Sequence, residues 1–380
     1  MDDLIKAEPA STDPLDAKKL EDGIGFCLSG GGFRAMVFHL GALWRLNELG
    51  LLQRIARFSS VSGGSITNGV LALAWRDLNF GGSGAAANFA DLVAKPILAF
   101  ARTRVDVGAI LLGLIPGLSA SGRVAAAYDK ALFHGATLRD LPPQPRFNFN
   151  ATNLMSAGLM RISQDYVADY RIGQIVKPSF RLADVVAASS AFPPVLSPLD
   201  LDFGDQPMVS WPGAPLGKEP YTRRAVLTDG GVYDNLGLES VWKRYRTVLA
   251  SNAGRNVDAE ENPAHSWPLQ LNRVVNVMYN QVDNARERQL LALARAKVRT
   301  VGYWTIQTDP GKFPVRSPLS LSPAELLQSA TISTRLSTLS AAECTLLVRH
   351  GYLLSDLAVR NHVDTTLSAP SAFPVLTNYL

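Results

Sequence analysis

The chain is poor in the residues that crosslink, chelate and titrate near neutrality. Among 380 residues there are two cysteines, Cys27 and Cys344, and five histidines. Two cysteines so far apart give no disulfide framework and no metal site, and no cofactor is expected. Cys27 lies in an apolar strand-like run, where a buried reduced thiol belongs. Charged residues make up 18% of the chain against 47% hydrophobic, which excludes a disordered polymer and describes a globular protein. No apolar run reaches the length of a convincing membrane span. The opening MDDLIKAEPASTDPLDAKKL lacks the basic start and apolar centre of a cleavable signal peptide. Residues 1–21 are expected to form a flexible acidic leader. Residues 22–380 are expected to form a single α/β domain, with a mainly helical insertion at about 80–145 and an extension at about 256–380.

The charge is unevenly placed. The first 22 residues carry seven acidic groups against three lysines, a net of −4 in a chain whose total is +4, so the remainder holds +8. A basic body suits an anionic membrane surface, and it also occurs in proteins that bind nothing charged. No nucleic-acid partner is expected.

The order of elements is easier to read. Ile24–Ser29 reads as a strand, Phe33–Leu49 as a helix, Ile55–Ser62 as a second strand and Ser65–Leu78 as a second helix. That alternation predicts a central, mainly parallel sheet flanked by helices, with sites at the carboxyl ends of strands. Phe147–Thr152, Gln164–Tyr170, Arg224–Thr228, Thr247–Ser251 and Val298–Gln307 read as further strands, and Leu182–Ser190 and Ala285–Lys297 as helices. Pro198–Thr222 reads as a loop excursion. Val107–Leu118 is either a buried core segment or an apolar cap that lines an acyl channel or dips into lipid.

Phe58-Ser59-Ser60-Val61-Ser62-Gly63-Gly64-Ser65 is the grammar of a strand turning sharply into a helix with a nucleophile on the bend. Ser59, Ser60, Ser62 and Ser65 compete. Ser62 has small residues two places either side, Ser60 and Gly64, as such an elbow requires. Upstream, Gly30-Gly31-Gly32-Phe33-Arg34 precedes a helix and leaves backbone amides free to meet an oxyanion. The same glycines fit a dinucleotide pattern, but that reading wants an acid at the end of the second strand, and none lies between Ile55 and Ser65. Asp229 ends the apolar strand Ala225-Val226-Leu227 and precedes Gly230-Gly231, 167 residues after Ser62. A carboxylate there can serve as a base, or it can be an ordinary Asp-Gly-Gly turn. His39 falls within the first helix and reads as a packing residue. A Ser-His-Asp esterase built on it is the competing arrangement.

Together these segments resemble the patatin-like phospholipases. Gly30–Arg34 resembles that family's glycine-rich oxyanion motif, Ser60-Val61-Ser62-Gly63-Gly64 its nucleophile elbow and Ala188-Ser189-Ser190-Ala191-Phe192-Pro193 its alanine–serine–proline block. Asp229-Gly230-Gly231-Val232-Tyr233-Asp234-Asn235 resembles its aspartate motif. Ser60 stands where a glycine is usual, and Asn252 where an aspartate is common. The resemblance implies a patatin-like three-layer α/β/α fold and a Ser–Asp dyad without a catalytic histidine. It carries the nucleophile to Ser62, the base to Asp229 and the oxyanion hole to Gly30, Gly31 and Gly32, with Arg34 in support and Ser60, Gly63 and Gly64 shaping the elbow. It implies hydrolysis of acyl esters of phospholipid or lysophospholipid. Acyl transfer to an alcohol and an idle lipid-binding regulator are the alternatives. The expected setting is cytoplasmic or peripheral to a membrane, with export as an effector open. Arg286, Arg288, Arg295, Lys297 and Arg299 surround Leu290, Leu291 and Leu293, either as an amphipathic helix packed on the core or as a contact for anionic lipid.

Overall fold

The computed structural model describes residues 20–103, 120–254 and 256–380. The leader up to residue 19 and the run Val107–Leu118 lie outside the described residues. The strands are β1 (Glu21–Leu28), β2 (Ile55–Ser60), β3 (Arg146–Asn153), β4 (Gly158–Ile162), β5 (Tyr166–Asp169), β6 (Gly173–Val176), β7 (Leu199–Asp202), β8 (Val209–Ser210), β9 (Arg224–Asp229), β10 (Tyr245–Asn252) and β11 (Thr300–Thr305). The helices are α1 (Gly32–Glu48), α2 (Gly63–Ala74), α3 (Lys95–Ala101), α4 (Ala120–Tyr128), α5 (Leu182–Ser189), the single turn α6 (Gly231–Asp234), α7 (Trp267–Arg295), α8 (Pro323–Thr331) and α9 (Ala341–His362).

One sheet holds all these strands. Its parallel part runs β11-β10-β1-β2-β3. Past β3 the sheet becomes antiparallel through β4, β5, β6 and β8, and β9 pairs antiparallel with both β3 and β7. β7 and β8 fall inside the stretch 198–222 that reads as loop, and β4 and β6 carry no signal of their own. They are short and rest on pairing with neighbours rather than on intrinsic propensity.

The sheet has two buried faces, and side-chain alternation divides them. Phe26 and Leu28 of β1 and Leu249 of β10 join the larger apolar core, with α1, α2 and α9. Cys27, Val248 and Ala250, one residue out of phase, join a second core with Trp242 and with Leu290 and Leu293 of α7. Strands buried on both faces read as continuous apolar runs, as these do. The result is the three-layer α/β/α arrangement expected from the sequence.

The C-terminal stretch is built into this frame. β11 extends the sheet beside β10, and α9 lies against α1 so closely that side chains are excluded at the crossing. A Cβ on Gly41 would stand 2.1 Å from the Val348 carbonyl oxygen, and one on Gly351 would stand 1.9 Å from that of Phe38. The buried Asp356 locks the two helices: its Oδ1 accepts from Nε and Nη2 of Arg45 at 2.9 and 2.8 Å, and its Oδ2 from Arg360 at 3.1 Å.

One detail of the topology positions the site. β2 runs parallel to β3 and ends with Ser60 opposite Phe149. β9 runs antiparallel to β3 and ends with Asp229 opposite Ala151. β4 occupies the other edge of β3 over these same residues, so β2 and β9 share one edge and approach each other end to end. Their carboxyl ends meet across Asn150.

Candidate active site

Ser62 occupies the turn between β2 and α2 with φ 52° and ψ −122°, a left-handed conformation costly for a residue with a Cβ and typical of sites where the surroundings enforce it. The surroundings here are specific. The Ser62 amide donates to Ser189 Oγ at 3.0 Å, and Ser189 in turn donates to the Asn150 carbonyl at 2.7 Å. A Cβ on Gly63 would lie 2.0 Å from the Gly32 carbonyl oxygen, and one on Gly64 would lie 2.5 Å from that of Leu28. Both positions therefore exclude any side chain.

The competing serines have other tasks. Ser59 donates to the Gly237 carbonyl at 2.6 Å, and Ser60 to that of Asn148 at 3.1 Å. Ser65 Oγ lies 2.9 Å from Ser60 Oγ and 2.8 Å from Ser189 Oγ. These hydroxyls form a buried polar layer under the elbow, and Asn68 adds a bond to Ser60 Oγ at 2.9 Å. Ser60 thus brings a hydroxyl that the usual glycine would lack, and the layer uses it.

The glycine loop leads from β1 into α1. Gly31 and Gly32 have φ of 137° and 56°, which suits glycine. Among the described residues no carbonyl accepts from their amides, and both stand at the positive end of a 17-residue helix. Gly30 differs: its amide already donates to the Asn235 carbonyl at 3.1 Å. Its contribution is space, since a Cβ there would stand 2.4 Å from Asn235 Oδ1 and 3.2 Å from Ser62 Cβ. Arg34 is buried. It donates to the carbonyls of Ala330 and Ile332, each at 2.9 Å, and of Ala253 at 2.6 Å, tying the loop to the far end of the chain.

Asp229 is buried at the end of β9, 2% exposed. Its Oδ1 accepts from the Gly231 amide at 2.7 Å. Its Oδ2 is buried and makes no well-directed hydrogen bond among the described residues. Burial pushes its pKa up to about 7, opposed by the Gly231 amide and then by the Ser62 hydroxyl. The carboxyl group that senses Ser62 is therefore fixed by one oxygen and open at the other.

His39 and His350 are committed elsewhere. His39 is fully buried, with Nε2 2.9 Å from the Ser29 carbonyl oxygen and Nδ1 2.8 Å from Ser251 Oγ. A carbonyl can only accept, so Nε2 carries the proton and Nδ1 accepts from Ser251. Burial lowers its pKa to about 4 despite the Ser29 carbonyl, which keeps it neutral. His350 pairs with Ser329 Oγ at 2.9 Å.

A family model described as patatin-like phospholipase matches residues 26–242, more than half of the chain. The chain belongs to the patatin-like phospholipase family. Among solved structures it is similar to human GIVD cytosolic phospholipase A2 bound to methyl γ-linolenyl fluorophosphonate and terbium chloride. There the identity is 16%, the TM-score 0.48, and the match covers 90% of this chain and 57% of that one. It is also similar to VipD from Legionella pneumophila, with 15% identity and a TM-score of 0.35, over 90% of this chain and 67% of that one. The chain thus spans somewhat more than half the length of the human enzyme it matches. The sequence has no match among curated proteins.

Some residues around the site had no individual signal in the sequence. Asn150 bridges the layer by donating to Ser59 Oγ and to the Ser60 carbonyl, both at 2.9 Å. Asn235 spaces the glycine loop from the Asp229 turn. Tyr279 of α7 packs its ring against Phe192, with centroids 5.3 Å apart, and beside Gly231. Arg286 pairs with Glu239 at 3.2 Å, and the buried Arg299 donates to the Trp242 carbonyl at 2.8 Å. These two cations are each tied to groups of the protein.

Proposed function

We propose that the chain hydrolyses acyl esters of phospholipid or lysophospholipid through a Ser62–Asp229 dyad. The observation that carries this reading is the Asp229 carboxyl group, pinned through Oδ1 and unpartnered at Oδ2, sensing the hydroxyl of a serine held in a strained turn beside unpartnered glycine amides. Ser62 Oγ attacks the ester carbonyl as its proton passes to Asp229 Oδ2. The amides of Gly31 and Gly32 stabilise the tetrahedral oxyanion, where each donor contributes about 3 kcal/mol. Collapse breaks the bond to the alcohol, which takes the proton from Asp229 and leaves the acyl group on Ser62. Water, deprotonated by the same carboxylate, releases the fatty acid. A carboxylate with its pKa raised to about 7 is a stronger base than an ordinary one and is partly ionised at neutral pH.

Encounter with the substrate at a lipid surface belongs to the same reading. Trp267, Leu271, Val274 and Met278 stand exposed along one stripe of α7, just before Tyr279, and no helix among the described residues is long and apolar enough to cross a membrane. Hydrolysis of phospholipid and lysophospholipid by wild type, Ser62→Ala and Asp229→Asn tests the function. The variants are expected to lose at least about 10³-fold in kcat, the scale of losing an activated nucleophile or its base, while remaining folded. Retained turnover in either variant refutes the dyad.

A further inference from the structure

Helix α7 lies outside the stretch that matches the family model, yet it packs against the turn that follows Asp229. Tyr279 makes that contact. Its ring sits where Gly231 leaves room: a Cβ on Gly231 would stand 3.0 Å from Tyr279 Cε1. The ring also lies 5.3 Å from that of Phe192. The Tyr279 hydroxyl is buried and has no hydrogen-bond partner among the described residues. A buried donor without an acceptor is unfavourable and calls for a reason, such as a catalytic role or an ordered water. Asp229 borders the same glycine, with Oδ1 3.0 Å from that Cβ position, and among the described residues its buried Oδ2 has no hydrogen-bond partner either. Burial first, and then the charge of Asp229, hold the phenol proton firmly in place, so Tyr279 stays a donor across the working pH range.

We propose that Tyr279 Oη donates a hydrogen bond to the leaving oxygen of the ester, on the alcohol side of the scissile bond. This assignment rests on the hydrolase reading above. In that reaction the carbonyl oxygen faces the amides of Gly31 and Gly32. Asp229 must accept the Ser62 proton and then hand it to the departing oxygen, so that oxygen lies beside Asp229. A donor next to Asp229 therefore addresses the alcohol side. As the carbon–oxygen bond breaks, its electron pair stays on the leaving oxygen. Asp229 supplies the proton, while Tyr279 keeps its own and strengthens its hydrogen bond to the growing charge. The help is greatest for a poor leaving group such as a glyceryl alkoxide, and slight for an aryloxide or fluoride that departs readily unaided.

Tyr279→Phe preserves the ring and its packing and removes only the hydroxyl. With an alkyl ester such as lysophosphatidylcholine, kcat/KM is expected to fall by about 10- to 100-fold, the scale of one hydrogen bond to a charged oxygen. With the p-nitrophenyl ester of the same fatty acid the fall should stay under about 3-fold, because that leaving group needs little assistance. Labelling of Ser62 by a fluorophosphonate should keep its rate. Equal losses on both esters, or no loss on either, would overturn the role of Tyr279 alone. A wild-type protein that takes no label on Ser62 would refute the hydrolase reading, and this assignment with it.

Discussion

At the scale of single residues, the decisive group is Asp229, the proposed base, whose burial comes at the expense of stability. The folded protein keeps this proton up to about pH 7, whereas the unfolded chain releases it near the ordinary carboxylate value of about 4. The native state therefore binds more protons between these limits, and stability contributed by this group is lost as pH rises through them. Asp229→Asn removes the titration. The variant is expected to be more stable than wild type at pH 8 by up to about 4 kcal/mol, a gain that shrinks towards zero near pH 4. Urea unfolding at the two pH values checks this, and a difference independent of pH would contradict it. Ser62, Gly31, Gly32 and Asp229 stand out as candidates in the sequence because each lies at a strand end with glycine beside it, a signal contained within a few residues. The amide of Gly30 was not, because its acceptor, the Asn235 carbonyl, lies far along the chain. The partners of Arg34 are 219 to 298 residues away, so only its support of the loop could be anticipated.

At the scale of elements, the glycine loop is held by its helix and the helix by α9. α1 starts at the loop, and its far end is fixed to α9 through Arg45, Asp356 and Arg360, all three buried. Asp356→Ala leaves two buried guanidinium groups without their carboxylate and is expected to destabilise the fold by about 3–5 kcal/mol. Chemical unfolding at neutral pH measures it, and a loss below about 1 kcal/mol would show that the pair is not the clamp it resembles. The strand–helix–strand–helix start was legible from periodicity. α7 was legible only in its C-terminal half, from Ala285, where Leu290 and Leu293 face the second core. Its N-terminal half exposes Trp267, Leu271, Val274 and Met278, so no buried stripe marks it, and Pro268 in the first turn looks like a breaker although proline is tolerated there. The short antiparallel strands depend on partners that sequence order does not reveal.

At the scale of the whole molecule, the site exists because two strands end against each other. β2 and β9 occupy the same edge of β3 from opposite directions, and Asn150 lies in the gap between their last paired residues. No local signal in the sequence reports that convergence; it follows from the point where a parallel sheet gives way to an antiparallel one. The central claim is that this junction joins the Ser62 hydroxyl to the Asp229 carboxyl group as one reacting unit. The direct measurement is the rate of fluorophosphonate labelling across pH 5–9, with the modified residue located by mass spectrometry, for wild type and Asp229→Asn. The expected result is one adduct, on Ser62, forming faster as pH rises through about 7 and nearly abolished in the variant. An adduct on Ser65, or an Asp229→Asn protein labelled at the wild-type rate, would contradict it.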